Sequence, residues 1–161
     1  MRSSVSSVRS SAQTPPRITT ALAPEYRGLL MKYAQRRDFE PGERLFTEGG
    51  AADRFWIVRT GTVLLDAEVP GGTHAVVDRA DAGEPVGCSW LFAPYRWQLG
   101  AEAMTPVRAD EFDAATVRML MDADPAFGSA LGHFVGRVLA HRLRSARIRL
   151  LDRYAPHGSG L

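Results

Sequence analysis

The sequence predicts a mainly β fold with α-helix: a barrel or sandwich of short strands preceded by a short N-terminal helix and followed by a long C-terminal one. Three observations carry this. Between Phe39 and Val77, short apolar runs alternate with Gly- and Pro-rich turns at a spacing of roughly 8 to 12 residues, the rhythm of an all-β barrel or sandwich. The run Phe55–Val58, FWIV, is aromatic or β-branched throughout, as suits a buried strand. Beyond Phe112 the apolar period lengthens to that of a helix and holds to Tyr154.

Taken in order, residues 1–20 are Ser-rich with a Pro15-Pro16 pair and too few large apolar residues to form a core, so they are expected to be a disordered tail. Pro24 opens a short amphipathic helix to Arg37, with Tyr26, Leu29, Leu30 and Tyr33 at helical spacing. Strands follow near Phe39, at Arg44–Thr47, Phe55–Val58, Val63–Val69 and His74–Val77, separated by turn signals such as Pro41-Gly42, Gly49-Gly50, Thr60-Gly61 and Gly71-Gly72. Val107–Phe112 is the clearest later strand, Asp113–Asp122 is helical, and Asp124-Pro125 restarts a helix of about residues 126–154, with Pro156 and Gly158 marking its end. Residues 21–154 therefore form one expected domain, with 155–161 a second tail.

Composition narrows the function classes. Cys88 is the only cysteine among 161 residues, which excludes an intrachain disulfide, and the four histidines are scattered, which leaves no metal-ligand pattern. No uncharged apolar run approaches the ~18 residues of a membrane span, so a cytoplasmic protein is expected. The net charge of +2 conceals an acidic body and a basic C-terminal helix, where six Arg face Asp152 alone from residue 127 onward. Such a helix suits an anionic partner surface or is simply a solvated face. No Ser-His-Asp, phosphate-loop or metal motif is visible, so an enzyme is not expected. A lowered thiol pKa at Cys88 would instead make it a redox sensor.

The ungapped stretch from Phe39 to Val63, FEPGERLFTEGGAADRFWIVRTGTV, resembles the first strands of the cyclic nucleotide-binding domain family, with Gly42, Glu43, Gly49, Asp53 and Gly61 at that family's spacings. The resemblance extends over residues 22–154 and implies a double-stranded β-helix, a jelly-roll-like barrel, of the Crp/Fnr sensor kind. It implies a cyclic nucleotide, cyclic AMP or cyclic GMP, as the ligand, held in a phosphate-binding cassette. There, backbone N–H groups and an Arg meet the cyclic phosphate, and a Glu accepts from the ribose hydroxyl.

The corresponding stretch here is Gly87-Cys88-Ser89-Trp90-Leu91-Phe92-Ala93-Pro94-Tyr95-Arg96-Trp97, followed by Gln98 to Ala103. Gly87 matches the family; Cys88 stands at the ribose-binding Glu position, and a thiol is a weak acceptor. Counted back from Ala103, the phosphate Arg position falls on Trp97, with Arg96 one residue earlier. A one-residue shift turns a strand side chain to the opposite face, so either the loop slips to bring Arg96 inward or Trp97 occupies the phosphate position. Gly87, Cys88, Ser89, Trp90, Arg96 and Trp97 are the candidate ligand-binding residues. The aromatic cluster Trp90–Trp97 either stacks a planar or apolar ligand, fills a pocket that binds nothing, or faces a partner. The cassette is similar to that of stand-alone bacterial family members, some associated with redox enzymes.

Gly132, Gly136, Leu139, Leu143, Ala146 and Leu150 are spaced 4, 3, 4, 3, 4, the seam of a two-helix coiled coil, while Leu131, Phe134, Val135 and Val138 form a second face that should dock on the barrel. A homodimer through this helix is expected, with Arg142 and Arg149 flanking the seam, where they would repel their own copies unless acidic groups of the barrel meet them. Seven residues follow Tyr154, too few for the helix-turn-helix of the family's transcription factors, so sequence-specific DNA binding is not expected. The expected function is a non-catalytic small-ligand-sensing regulatory module; the alternative is a ligand-free interaction or scaffold protein that assembles with a partner, such as a redox protein.

Overall fold

The computed structural model describes residues 14–154. Expectations for residues 1–13 and 155–161, including the helix-end signals Pro156 and Gly158, lie outside them. Two four-stranded antiparallel sheets face each other across an apolar core. Their strands are β1 (Gln35–Phe39), β2 (Arg44–Phe46), β3 (Arg54–Thr60), β4 (Val63–Val69), β5 (Thr73–Ala80), β6 (Pro85–Val86), β7 (Gly100–Ala103) and β8 (Val107–Asp113). One sheet runs β1-β8-β3-β6 and the other β2-β7-β4-β5, so apart from the β4-β5 hairpin consecutive strands alternate between layers, as in a jelly roll. The helices are α1 (Ile18–Ala21), α2 (Pro24–Met31), α3 (Ala114–Ala123) and α4 (Pro125–Tyr154).

Strand β3 shows why the core forms where it does. A pleated strand sends successive side chains to opposite faces. Phe55 stacks on Phe112 and Trp90 while Trp56 stacks on Phe46 and packs edge-on to Phe39, so both faces of β3 are covered. Gly61 turns the chain into β4 at φ +95°, and a Cβ there would collide with the Pro106 carbonyl oxygen, so the expected glycine turn is also a close backbone crossing.

Two expectations shift. The first helix was read to Arg37, but α2 stops at Met31 and Gln35–Phe39 pairs with Val107–Glu111 of β8. Order also begins earlier than residue 21: Ile18 is buried and its N–H donates to the Gly83 carbonyl at 2.8 Å, tying α1 to the turn before β6.

The long helix has two halves. Phe127, Leu131, Phe134, Val135 and Val138 are buried where the helix packs on α3, α2 and β5. Beyond Val138 no residue of α4 is buried, and at about 1.5 Å per residue the remaining 16 residues extend about 24 Å. Asp113 caps α3, its carboxylate accepting from the Thr116 N–H at 2.9 Å and the Thr116 hydroxyl at 2.7 Å.

Candidate ligand site

The cassette begins where β6 ends. Gly87 sits at φ +92°, which an L side chain rarely adopts, and a Cβ on it would lie 2.7 Å from two ring atoms of Trp97. A short 3-10 helix, Ser89–Leu91, follows. After Pro94 the chain turns at Tyr95, which has φ +55°, and then zips against the loop after β2. There the Trp97 N–H donates to Gly50 O (2.9 Å), the Gly49 N–H to Trp97 O (2.8 Å) and the Ala52 N–H to Tyr95 O (2.8 Å). These bonds set the register. Trp97 turns inward, 5% exposed, with its ring 3.8 Å from that of Phe46 and 6.1 Å from that of Trp56. Arg96 is exposed, and its guanidinium donates to Gly49 O at 3.3 Å. Of the two registers open in the sequence, the inward side chain is the tryptophan.

Between the cassette, β2, β4 and α4 lies a cavity of about 440 Å³. Phe46, Leu65, Phe92, Trp97 and Leu99 make its apolar walls, Leu139 and Leu143 of α4 border it, and among the described residues Arg96 and Arg142 are the charged groups that line it. Arg142 reaches from α4 to the cassette: Nη1 donates to Cys88 Sγ at 3.4 Å, Nη2 donates to Pro85 O at 2.7 Å, and Nε lies 3.9 Å from Asp78 Oδ2. The Cys88 thiol is pushed up from its ordinary value by burial, which outweighs the opposing pull of Arg142. That opposes the lowered pKa a redox-sensing thiol needs. Nearby Glu84 is likewise pushed up by burial, which outweighs the opposing pull of the Asp81 N–H that its carboxylate accepts.

The expected site residues divide accordingly. Gly87, Cys88, Ser89, Arg96 and Trp97 all border the cavity. Trp90 does not: its ring lies 4.2 Å from that of Phe55, 1% exposed, so it is a core residue under the 3-10 helix rather than part of the site. Helix α3 braces this segment from behind, Arg118 donating to Trp90 O at 2.6 Å while its guanidinium sits 4.1 Å over the Tyr95 ring. On α4, Gly132 is half-buried, whereas Gly136, Leu139, Leu143, Ala146 and Leu150 are exposed along one face. Arg142, expected at a flank of the seam unless acidic groups of the barrel meet it, turns to the barrel, where Asp78 of β5 lies 3.9 Å from its Nε. Arg142 lies four residues after Val138 and so continues the docking face, which is the signal that could have placed it.

Among the described residues no helix is long and apolar enough to cross a membrane, and no cluster of three metal-ligating side chains occurs. A family model described as the cyclic nucleotide-binding domain matches residues 36–124. The chain is 30% identical over 123 residues to a CRP-like cAMP-activated global transcriptional regulator of Mycobacterium tuberculosis, covering 76% of this chain and 53% of the relative. It thus spans about half the length of the curated relatives it matches. The catabolite activator protein of Thermus thermophilus matches with a TM-score of 0.67 at 26% identity, over 83% of this chain and 61% of that one. A cyclic nucleotide-binding domain from Methylobacillus flagellatus reaches a TM-score of 0.73 at 20% identity, over 81% and 74% respectively, a likeness of fold.

Proposed function

The chain belongs to the cyclic nucleotide-binding domain family, and from that premise we propose that it is a cytoplasmic, non-catalytic ligand-sensing module whose cassette no longer grips a cyclic phosphate in the family's way. The observation that carries this is Trp97. At the position where the resemblance expects an arginine, the chain puts a buried indole against Phe46 and Gly87, and the neighbouring Arg96 is held outward by the pairing of residues 95–97 with 49–52. Cys88, in place of the ribose-binding Glu, offers a protonated thiol where a carboxylate acceptor is needed. The relative from M. tuberculosis is cAMP-activated, and this chain would share the sensing role of the matched part with a different ligand preference.

The output we propose is a homodimer paired along Leu139, Leu143 and Leu150. Leu139 and Leu143 are exposed and also border the cavity, so a bound molecule and a second helix would contact the same side chains. Occupancy would then bias helix pairing by whatever difference in affinity the two arrangements have.

Thermal melts of the full chain with cyclic AMP, cyclic GMP and a panel of small organic acids, alcohols and amines test this, because a ligand that binds only the folded state raises the Tm. The reading expects a rise with a non-nucleotide compound and a weak response to cyclic AMP. A large rise at micromolar cyclic AMP would overturn the altered cassette. A second reading, a ligand-free scaffold, draws on the exposed apolar end of α4, where Leu143, Leu150, Leu151 and Tyr154 are at least half exposed. A Tm unmoved by every compound, with a partner protein retained on the wild-type chain and lost on Leu151→Glu, would favour it.

A further inference from the structure

Resting on the sensor reading, we infer that the cavity takes a small carboxylate with an aromatic or aliphatic body, its charge on Arg142 and its apolar part against Phe46, Trp97 and Leu143. At about 440 Å³ the cavity falls within the range of small-molecule sites, about 300 to 1,000 Å³. Among the described residues its charged lining is of one sign, two guanidinium groups and no carboxylate, which disfavours a cationic ligand. Arg142 is the inner of the two, its side chain 16% exposed, whereas Arg96 stands exposed at the rim.

The hydrogen bonds of Arg142 to Cys88 and Pro85 use two of the five guanidinium N–H groups. Among the described residues Asp78 is the one acid within ion-pair distance, 3.9 Å from Nε, and it does not border the cavity. A planar guanidinium with donors to spare matches a carboxylate, which accepts two parallel N–H bonds. The rest of the cavity argues the same way. A cyclic nucleotide carries polar groups along its whole length, while most of this lining is hydrocarbon and ring. An anion at one end and an apolar body behind it leaves fewer polar groups unmet.

Isothermal titration of the full chain with 2-naphthoate, with 2-naphthalenemethanol as the neutral counterpart, and with cyclic AMP tests the assignment. The expected result is 2-naphthoate binding at least about tenfold tighter than the alcohol, the scale of a charged hydrogen bond. Arg142→Gln should bring the carboxylate down to the level of the alcohol and Arg142→Lys should keep part of the preference, with thermal melts showing that each variant folds. Arg108→Gln, at an exposed strand position away from the cavity, should leave the preference in place. Equal binding of acid and alcohol by the wild-type chain overturns the inference without recourse to any variant. Binding of cyclic AMP but not of 2-naphthoate also overturns it, and the altered cassette with it, while the ligand-sensing role itself stands; no binding and no Tm rise with any of the three counts against both.

Discussion

Gly87→Ala probes the packing that places Trp97 in the pocket. Two penalties add at this position. A non-glycine residue at φ +92° costs about 1–2 kcal/mol by analogy with left-handed backbone generally. The new methyl group would also stand 2.7 Å from the Trp97 ring, which cannot swing away freely because Phe46 is stacked on it, and overpacking of this kind costs about 1–3 kcal/mol. In the wild-type background the variant should therefore lose about 2–5 kcal/mol. Trp97→Ala alone should lose about 3–5 kcal/mol through the cavity it leaves. With the indole gone, Gly87→Ala should retain only its backbone penalty, so the two changes should couple by about 1–3 kcal/mol, above the ~0.5 kcal/mol within which independent sites add. Urea unfolding followed by far-UV circular dichroism reads the cycle. A fixed concentration of trimethylamine N-oxide would keep every variant's folded baseline in view. If Gly87→Ala costs the same in both backgrounds, Trp97 does not lie over Gly87 and that packing is refuted.

Three further outcomes are expected. Cys88, buried and with its thiol pushed above the ordinary value, should react with iodoacetamide at pH 8 far more slowly than free cysteine and reach full rate only in urea; a native rate equal to that of the free thiol would refute the burial. Leu143→Glu, at a side chain 72% exposed, should change monomer stability by no more than ~0.5 kcal/mol yet shift sedimentation from dimer to monomer, and an unaltered dimer would remove Leu143 from the interface. Asp113→Ala should cost about 1 kcal/mol as a lost N-cap. The hydrogen bonds from Thr116 hold the Asp113 carboxyl below its ordinary 3.8, so its stabilisation is present above that value and is lost as pH falls through the lower folded value; Asp113→Asn should flatten this part of the acid limb in Tm against pH, and an unchanged slope would refute it.

Strands whose signal is local were legible. Val63–Val69 and Phe55–Val58 announce themselves by apolar, β-branched content between glycine turns. Gln35–Phe39 does not, because four of its five residues are exposed and polar or charged, and its strand character comes from pairing with a segment some seventy residues later. Gly100–Ala103, with the sequence GAEA, is largely buried but built of small residues and a glutamate that carry little strand propensity, and Pro85–Val86 is two residues long. At the site, the glycine and the departures at Cys88 and Trp97 stood in the sequence. What did not was which of two adjacent side chains faces inward, since that depends on hydrogen bonds between Tyr95–Trp97 and the distant loop at 49–52. Arg142 stayed open between seam and barrel because a heptad count assigns a helix position to one partner, and this one lies at the border of two faces.

The contacts from Arg118 to the Trp90 carbonyl and the Tyr95 ring bear on how fast the cavity exchanges its contents. A wall fastened from behind by a helix is ordered when the chain folds, so an incoming molecule has little loop entropy to remove. Entry is then a matter of diffusion and orientation, and residence time carries most of any difference in affinity between one occupant and another.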